Sequence, residues 1–149
     1  MAVKPIPEGY HSVTPYLAVE GATQLLDFVK RAFDAQELHR SVRPDGTLWH
    51  AEVRIGDSMV MMAEAADPWK PMPSTLHLYV DDTDATYRRA IAAGATSLME
   101  PADQFYGNRS GGVQDPVGNL WWIATHIEDV SPEEMTRRQQ AFAKQAAKG

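Results

Sequence analysis

Residues 75–95 read TLHLYVDDTDATYRRAIAAGA, and the folding of this stretch decides the architecture of the chain. Leu76, Leu78 and Val80 alternate with Thr75, His77 and Tyr79, the period of a strand with one buried face. The pattern changes after Asp81. Asp82 or Thr83 can cap a helix, and Gly94 suits the left-handed stop at its far end. A helix that follows directly covers the apolar side of the strand. Thr75, His77 and Tyr79 are then left on a free face.

The same succession occurs earlier in the chain. TPYLAV (14–19) alternates, with Leu17 and Val19 on one side and Thr14, Tyr16 and Ala18 on the other. GATQLLDFVKRAF (21–33) then carries Ala22, Leu25, Leu26, Val29, Ala32 and Phe33 at helical spacings of three and four. Setting Val19 against Val80 also sets Thr14 against Thr75 and Ala32 against Ala93. The order of elements carries this match, since identity between the halves is low.

Further strands follow each helix. AQELHRSVRP (35–44) and LWHAEVRIG (48–56), joined through PDG, predict a hairpin, and SMVMMAE (58–64) predicts a mostly buried strand. In the second half come TSLMEPADQFYGN (96–108), RSGGVQDPVGN (109–119), read as a loop, and LWWIAT (120–125). Between the halves, ADPWKPMPS (66–74) has three prolines in nine residues and reads as a linker. SPEEMTRRQQAFAKQAAKG opens on a capping box, with Ser131 as cap, Pro132 at the first helical position and Glu134 three after the cap. Its thin apolar stripe, Met135 and Phe142 with some alanines, predicts a peripheral helix. The predicted class is therefore α+β: two β-α-β-β-β modules at about 10–65 and 75–127 in a single domain, plus a C-terminal helix at about 131–146.

Composition narrows the function classes. A net charge of −6 without a run of basic residues argues against nucleic acid. No stretch approaches the roughly 20 apolar residues of a membrane span. MAVKPIPEGYHSV lacks the apolar core of a signal peptide, so the expected location is cytoplasmic. The absence of cysteine removes disulfides, thiolate metal sites and a thiol nucleophile.

By continuity, three strands contribute Tyr16, His50, Arg54, His77 and Tyr79 to one surface, the mixed lining that small-molecule clefts use. His50, Glu52 and Arg54 fit equally the solvated side of an antiparallel sheet. In LWWIATH, neighbouring indoles point to opposite faces. Trp121, sharing its side with Ile123, is expected beneath the helix of its module, and Trp122 on the open face.

Paired modules with HAEVRIGDSMVMMAE (50–64) in the first and GGVQDPVGNLWWIATH (111–126) in the second resemble the vicinal oxygen chelate superfamily, which includes glyoxalase I, bleomycin-resistance proteins and extradiol dioxygenases. RIGDSMVMMAE and WWIATHIEDVSPEE are most similar to its PhnB-like branch. The resemblance implies curled sheets that form a cup, usually within a homodimer. The methyltransferase label sometimes attached to that branch finds no support, because no glycine-rich nucleotide loop follows a strand.

Metalloenzymes of this superfamily take ligands from the first and last strand of each module. Carried over, those positions fall on Thr14, Thr75 and Trp122, with only Glu64 an acid. Thr and Trp are poor donors for a divalent ion, so no metal or other cofactor is expected. A displaced site would need His50 and His77 with Glu52 or Glu64. Arg109, in the YGNRSGG loop where relatives tend to carry Gly-Asp-Arg, suits either an anionic ligand or bracing of its loop. Met59, Met61 and Met62 read as core filling.

Three functions remain. The first is metal-free binding of a small aromatic or planar molecule in a dimeric cup, using Tyr16, His50, Arg54, His77, Tyr79, Arg109 and Trp122. The second is a lyase, isomerase or dioxygenase, metal-dependent or working through His77 and Glu64 as acid and base. The third is a structural role with the cup closed by side chains.

Overall fold

The computed structural model describes residues 2–148. Two modules of identical order follow one another. The first comprises β1 (Tyr16–Val19), α1 (Ala22–Phe33), β2 (Gln36–Val42), β3 (Leu48–Ile55) and β4 (Ser58–Glu64). The second comprises β5 (Thr75–Tyr79), α2 (Thr83–Ala92), β6 (Thr96–Asp103), β7 (Asn108–Gln114) and β8 (Leu120–His126), and α3 (Pro132–Lys148) closes the chain. The class is α+β, as the repeated strand–helix succession predicts.

Each sheet is mixed. The orders are β1-β4-β3-β2 and β5-β8-β7-β6. The strand entering each helix pairs in parallel with the last strand of its own module, Leu17 beside Met62 and His77 beside Trp122. The remaining pairs are antiparallel.

Both helices pack against one another and against one side of the sheets. Leu25, Leu26, Phe28 and Val29 of α1 join Leu17, Val19, Val53 and Met62, and the same core continues into Val113, Trp121 and Ile123. Burying a side chain of this size stabilises the fold by about 1.5–3 kcal/mol. Phe33 binds the halves together: its ring meets Phe28 edge-on at 5.5 Å and Trp121 at 4.7 Å. Trp121 is thus buried as its register requires, with α1 of the other module as its aromatic neighbour.

Helix ends are fixed by local chemistry. Asp82 caps α2, its carboxylate accepting from the Ala85 amide at 3.0 Å, and Gly94 follows the helix at φ 111°. Ser131 caps α3 through the Glu134 amide at 3.2 Å. Glu134 does not complete the capping box. It turns instead to Arg137 and Arg138, which hold its carboxyl down to about 2. α3 buries no residue and lies at the periphery, tied down by Arg138 on Glu128 and by Phe142 against Phe105.

The segment read as a loop from 109 to 119 is corrected. Residues 108–114 form β7, paired to β6 and β8. Its Ser-Gly-Gly centre carries no apolar alternation, yet glycine is required there: a Cβ on Gly112 would press into the Trp122 ring.

Candidate functional site

The helices cover one side of the sheets, and strand alternation delivers Tyr16, Ala18, His50, Glu52, His77, Tyr79 and Trp122 to the other. Several of these side chains meet. The Tyr16 hydroxyl lies 3.0 Å from His50 Nδ1, and His50 Nε2 lies 3.7 Å from Glu52. Glu52 accepts a hydrogen bond from the Tyr10 hydroxyl, and burial together with that carboxylate pushes the Tyr10 phenol up to about 12. Two hydrogen-bonded pairs, Tyr10–Glu52 and His50–Tyr16, therefore stand side by side. The rings of His77 and Tyr79 lie 4.7 Å apart on the second sheet, where the Tyr79 hydroxyl accepts from Asn108 at 3.2 Å. Trp122 stands beside His77 in register and lies over Gly112. Ser110 Oγ, on this side too, is the one buried side-chain polar atom among the described residues without a hydrogen-bond partner.

Two cavities open here. A smaller one of about 380 Å³ sits at the seam of the sheets, where Tyr16 and Leu17 face Thr75 and His77. A larger one of about 730 Å³ lies between the open face of the first sheet and residues 66–74. It is lined by Tyr16, Trp49, Trp69 and Met72, with Arg43 and Lys70 among its polar groups. The proline-rich linker is thus a strap along β1: the Ala65 amide donates to Val19 O at 2.8 Å, and the Met72 amide to Ala18 O at 3.0 Å. Sequence reading missed this cavity. Trp69 stood in a presumed linker. Trp49 occupies a strand irregularity, where Val42 pairs with Leu48 but Ser41 with His50, leaving one extra residue on β3.

Three expected site residues are engaged in other contacts. Arg109 lies on the helix side of β7, bound to Asp84 at 2.6 and 2.9 Å and to Asp103 at 3.0 Å. Those contacts hold the Asp84 carboxyl below the usual range, and Arg109 braces β7 to α2. Arg54 donates to Gln36 at the edge formed by β2 and β3. Glu64 turns toward α1: its carboxylate accepts from the Gly21 amide at 2.9 Å and the Ala22 amide at 3.0 Å. An anion at a helix N-terminus answers unsatisfied amides and the helix dipole. His77 and Glu64 are therefore not brought together as an acid–base pair.

The metal implied by the resemblance does not fit these residues. Glu64, the one acid at a carried-over position, is spent on the helix amides. Trp122 presents an indole, and Thr14 and Thr75 hydroxyls. Among the described residues no group of three His, Asp or Glu side chains is arranged to hold an ion, which removes the displaced His50–His77 site as well.

Comparison with known proteins agrees with this architecture. The chain belongs to the glyoxalase/bleomycin resistance protein/dioxygenase superfamily, whose family model matches residues 10–123. It is similar to an uncharacterized protein of Mycobacterium bovis, 38% identical over 135 residues, covering 83% of this chain and 89% of the relative. Among solved structures it resembles TioX from Micromonospora sp. ML1, with TM-score 0.68 and 26% identity over 78% of this chain and 99% of that one. A putative 3-demethylubiquinone-9 3-methyltransferase, PhnB protein, from Bacillus cereus shares the fold, with TM-score 0.61 and 16% identity over 77% and 99% of the two chains. No helix among the described residues is long and apolar enough to cross a membrane.

Proposed function

We propose that this chain is a metal-independent, PhnB-like binding protein that takes up a small aromatic or planar molecule in a cup completed by a second copy of the chain. The observation that carries the reading is the aromatic lining left open on the side opposite the helices. Tyr16 is 52% exposed, Trp49 62% and Trp69 75%, around a cavity large enough for a drug-sized molecule. Large exposed apolar surface of this kind marks a ligand or partner site. A homodimer would cover much of what one chain leaves open, and a cytoplasmic setting goes with this reading.

Tryptophan fluorescence of untagged protein, titrated with a panel of planar aromatic compounds, tests the binding. Elemental analysis and sedimentation of the same preparation test the other two parts. Saturable quenching by a dimeric protein without metal is the expected result. A stoichiometric metal ion overturns the metal-independent reading, and absence of binding across the panel overturns the function.

A second reading rests on the cluster of Tyr10, Glu52, His50 and Tyr16. A carboxylate beside an imidazole that contacts a cavity-lining phenol is the arrangement of a proton-transfer site. A lyase or isomerase working through Tyr16 would form product from a bound ligand and lose turnover, with binding retained, in Tyr16→Phe.

A further inference from the structure

We propose that the larger cavity selects ligands that join a planar aromatic body to an anionic group, the anion being read by Arg43 and Lys70. This inference rests on the proposed binding function and specifies the ligand class.

The argument begins with charge. The chain as a whole carries −6, yet the cavity contains two cations and one carboxylate. That carboxylate is Glu64, turned to the Gly21 and Ala22 amides at the positive end of α1. Among the described residues Arg43 forms no salt bridge with a carboxylate. Its guanidinium donates to Glu64 O at 3.2 Å and Thr47 Oγ1 at 3.3 Å, both uncharged. Those bonds hold it in place without an ion pair, while the Asp45 carboxylate attracts it from beyond ion-pair distance. Asp45, the acid beside this group, is occupied by the Thr47 hydroxyl at 2.7 Å and amide at 2.9 Å. Lys70 forms no ion pair among the described residues and sits on the strap between Trp69 and Pro71.

Trp49 enters from the bulged end of β3, Trp69 from the strap and Tyr16 from β1, so three elements supply aromatic surface to one space. An apolar neutral molecule would satisfy the rings and leave both cations without a partner. An aromatic carboxylate, sulfonate or phosphate satisfies both. A guanidinium held by neutral oxygens, in the same cavity as an exposed ammonium, is suited to an oxyanion, bidentate from the first and as a point charge from the second.

The test compares two dyes of nearly the same ring system, anilinonaphthalene sulfonate and phenylnaphthylamine, which lacks the sulfonate. The full chain should bind the sulfonate about tenfold more tightly, as expected of one well-formed charge-assisted contact, with the margin shrinking in high salt. Lys70→Met changes an exposed side chain. It should remove most of that margin and leave phenylnaphthylamine binding unaltered. Trp69→Ala, also exposed, should weaken both dyes alike. Equal affinity for the two dyes, or a margin indifferent to Lys70→Met, overturns the anion reading and leaves the binding function standing. Failure of the wild-type chain to bind either dye overturns the inference and counts against the binding function as well.

Discussion

Trp122 lies directly over Gly112: the two are register partners on β8 and β7, and a Cβ at position 112 would stand 2.6 Å from Trp122 Cε3. The glycine is there because the indole occupies the place of its side chain. Gly112 has no positive φ, so its backbone alone would tolerate alanine. Gly112→Ala is therefore expected to destabilise the protein by about 1–3 kcal/mol through overpacking. Most of that loss should disappear in the Gly112→Ala, Trp122→Ala double variant. Denaturant unfolding of the four proteins of the cycle measures the coupling, and strict additivity would mean that the two residues do not compete for the same space.

Asp115 does more than open a turn. It is 4% exposed, and its carboxylate accepts from the Val117 amide, the Asn119 amide, Asn119 Nδ2 and Trp121 Nε1 at 2.8–3.0 Å. The Asp-Pro-Val-Gly turn is thereby locked to the indole at the centre of the core. Asp115→Ala orphans several buried donors at once and is expected to cost about 3 kcal/mol or more, at roughly 1–3 kcal/mol for each donor left unpaired. Asp115→Asn keeps one acceptor and should fall in between. Unfolding followed by tryptophan fluorescence checks both.

Which parts of this structure could be read from the chain follows from the range of the forces involved. Alternation at His77 and Tyr79, and the opposed faces of Trp121 and Trp122, are local consequences of strand geometry, and they hold. Arg109 was ambiguous because its partner Asp84 sits 25 residues earlier on α2, a pairing that only the tertiary fold creates. The larger cavity was hidden for a related reason. Trp49 reaches it through one extra residue on β3, and Trp69 through a strap whose prolines argue against any regular element. β7 was missed because glycines and a serine carry no hydrophobic period. The reason for its glycine lies on the neighbouring strand.

Glu64 is expected to serve helix α1. Removing its charge in Glu64→Gln should cost about 0.5–1 kcal/mol, and Glu64→Ala about 1–2 kcal/mol, the usual range for an anion and a cap at a helix N-terminus. Circular dichroism during denaturant unfolding supplies the numbers. An unchanged stability in Glu64→Ala would mean that the Gly21 and Ala22 amides find water as good a partner.

Tyr10 should give the protein an alkaline weakness. Burial and the Glu52 carboxylate raise its phenol from 10.0 to about 12 in the folded chain. Between those values the folded state keeps a proton that the unfolded state gives up, so stability falls as pH rises. Below pH about 10 both states hold the proton, and the contribution is complete and constant. Urea midpoints measured across this range should therefore decline in the wild type. Tyr10→Phe, which has no proton to lose, should start lower, because Glu52 has lost its donor, and should show a shallower decline. Parallel slopes in the two proteins would mean that Tyr10 titrates alike in both states, and the contact with Glu52 would then carry no pH-linked stability.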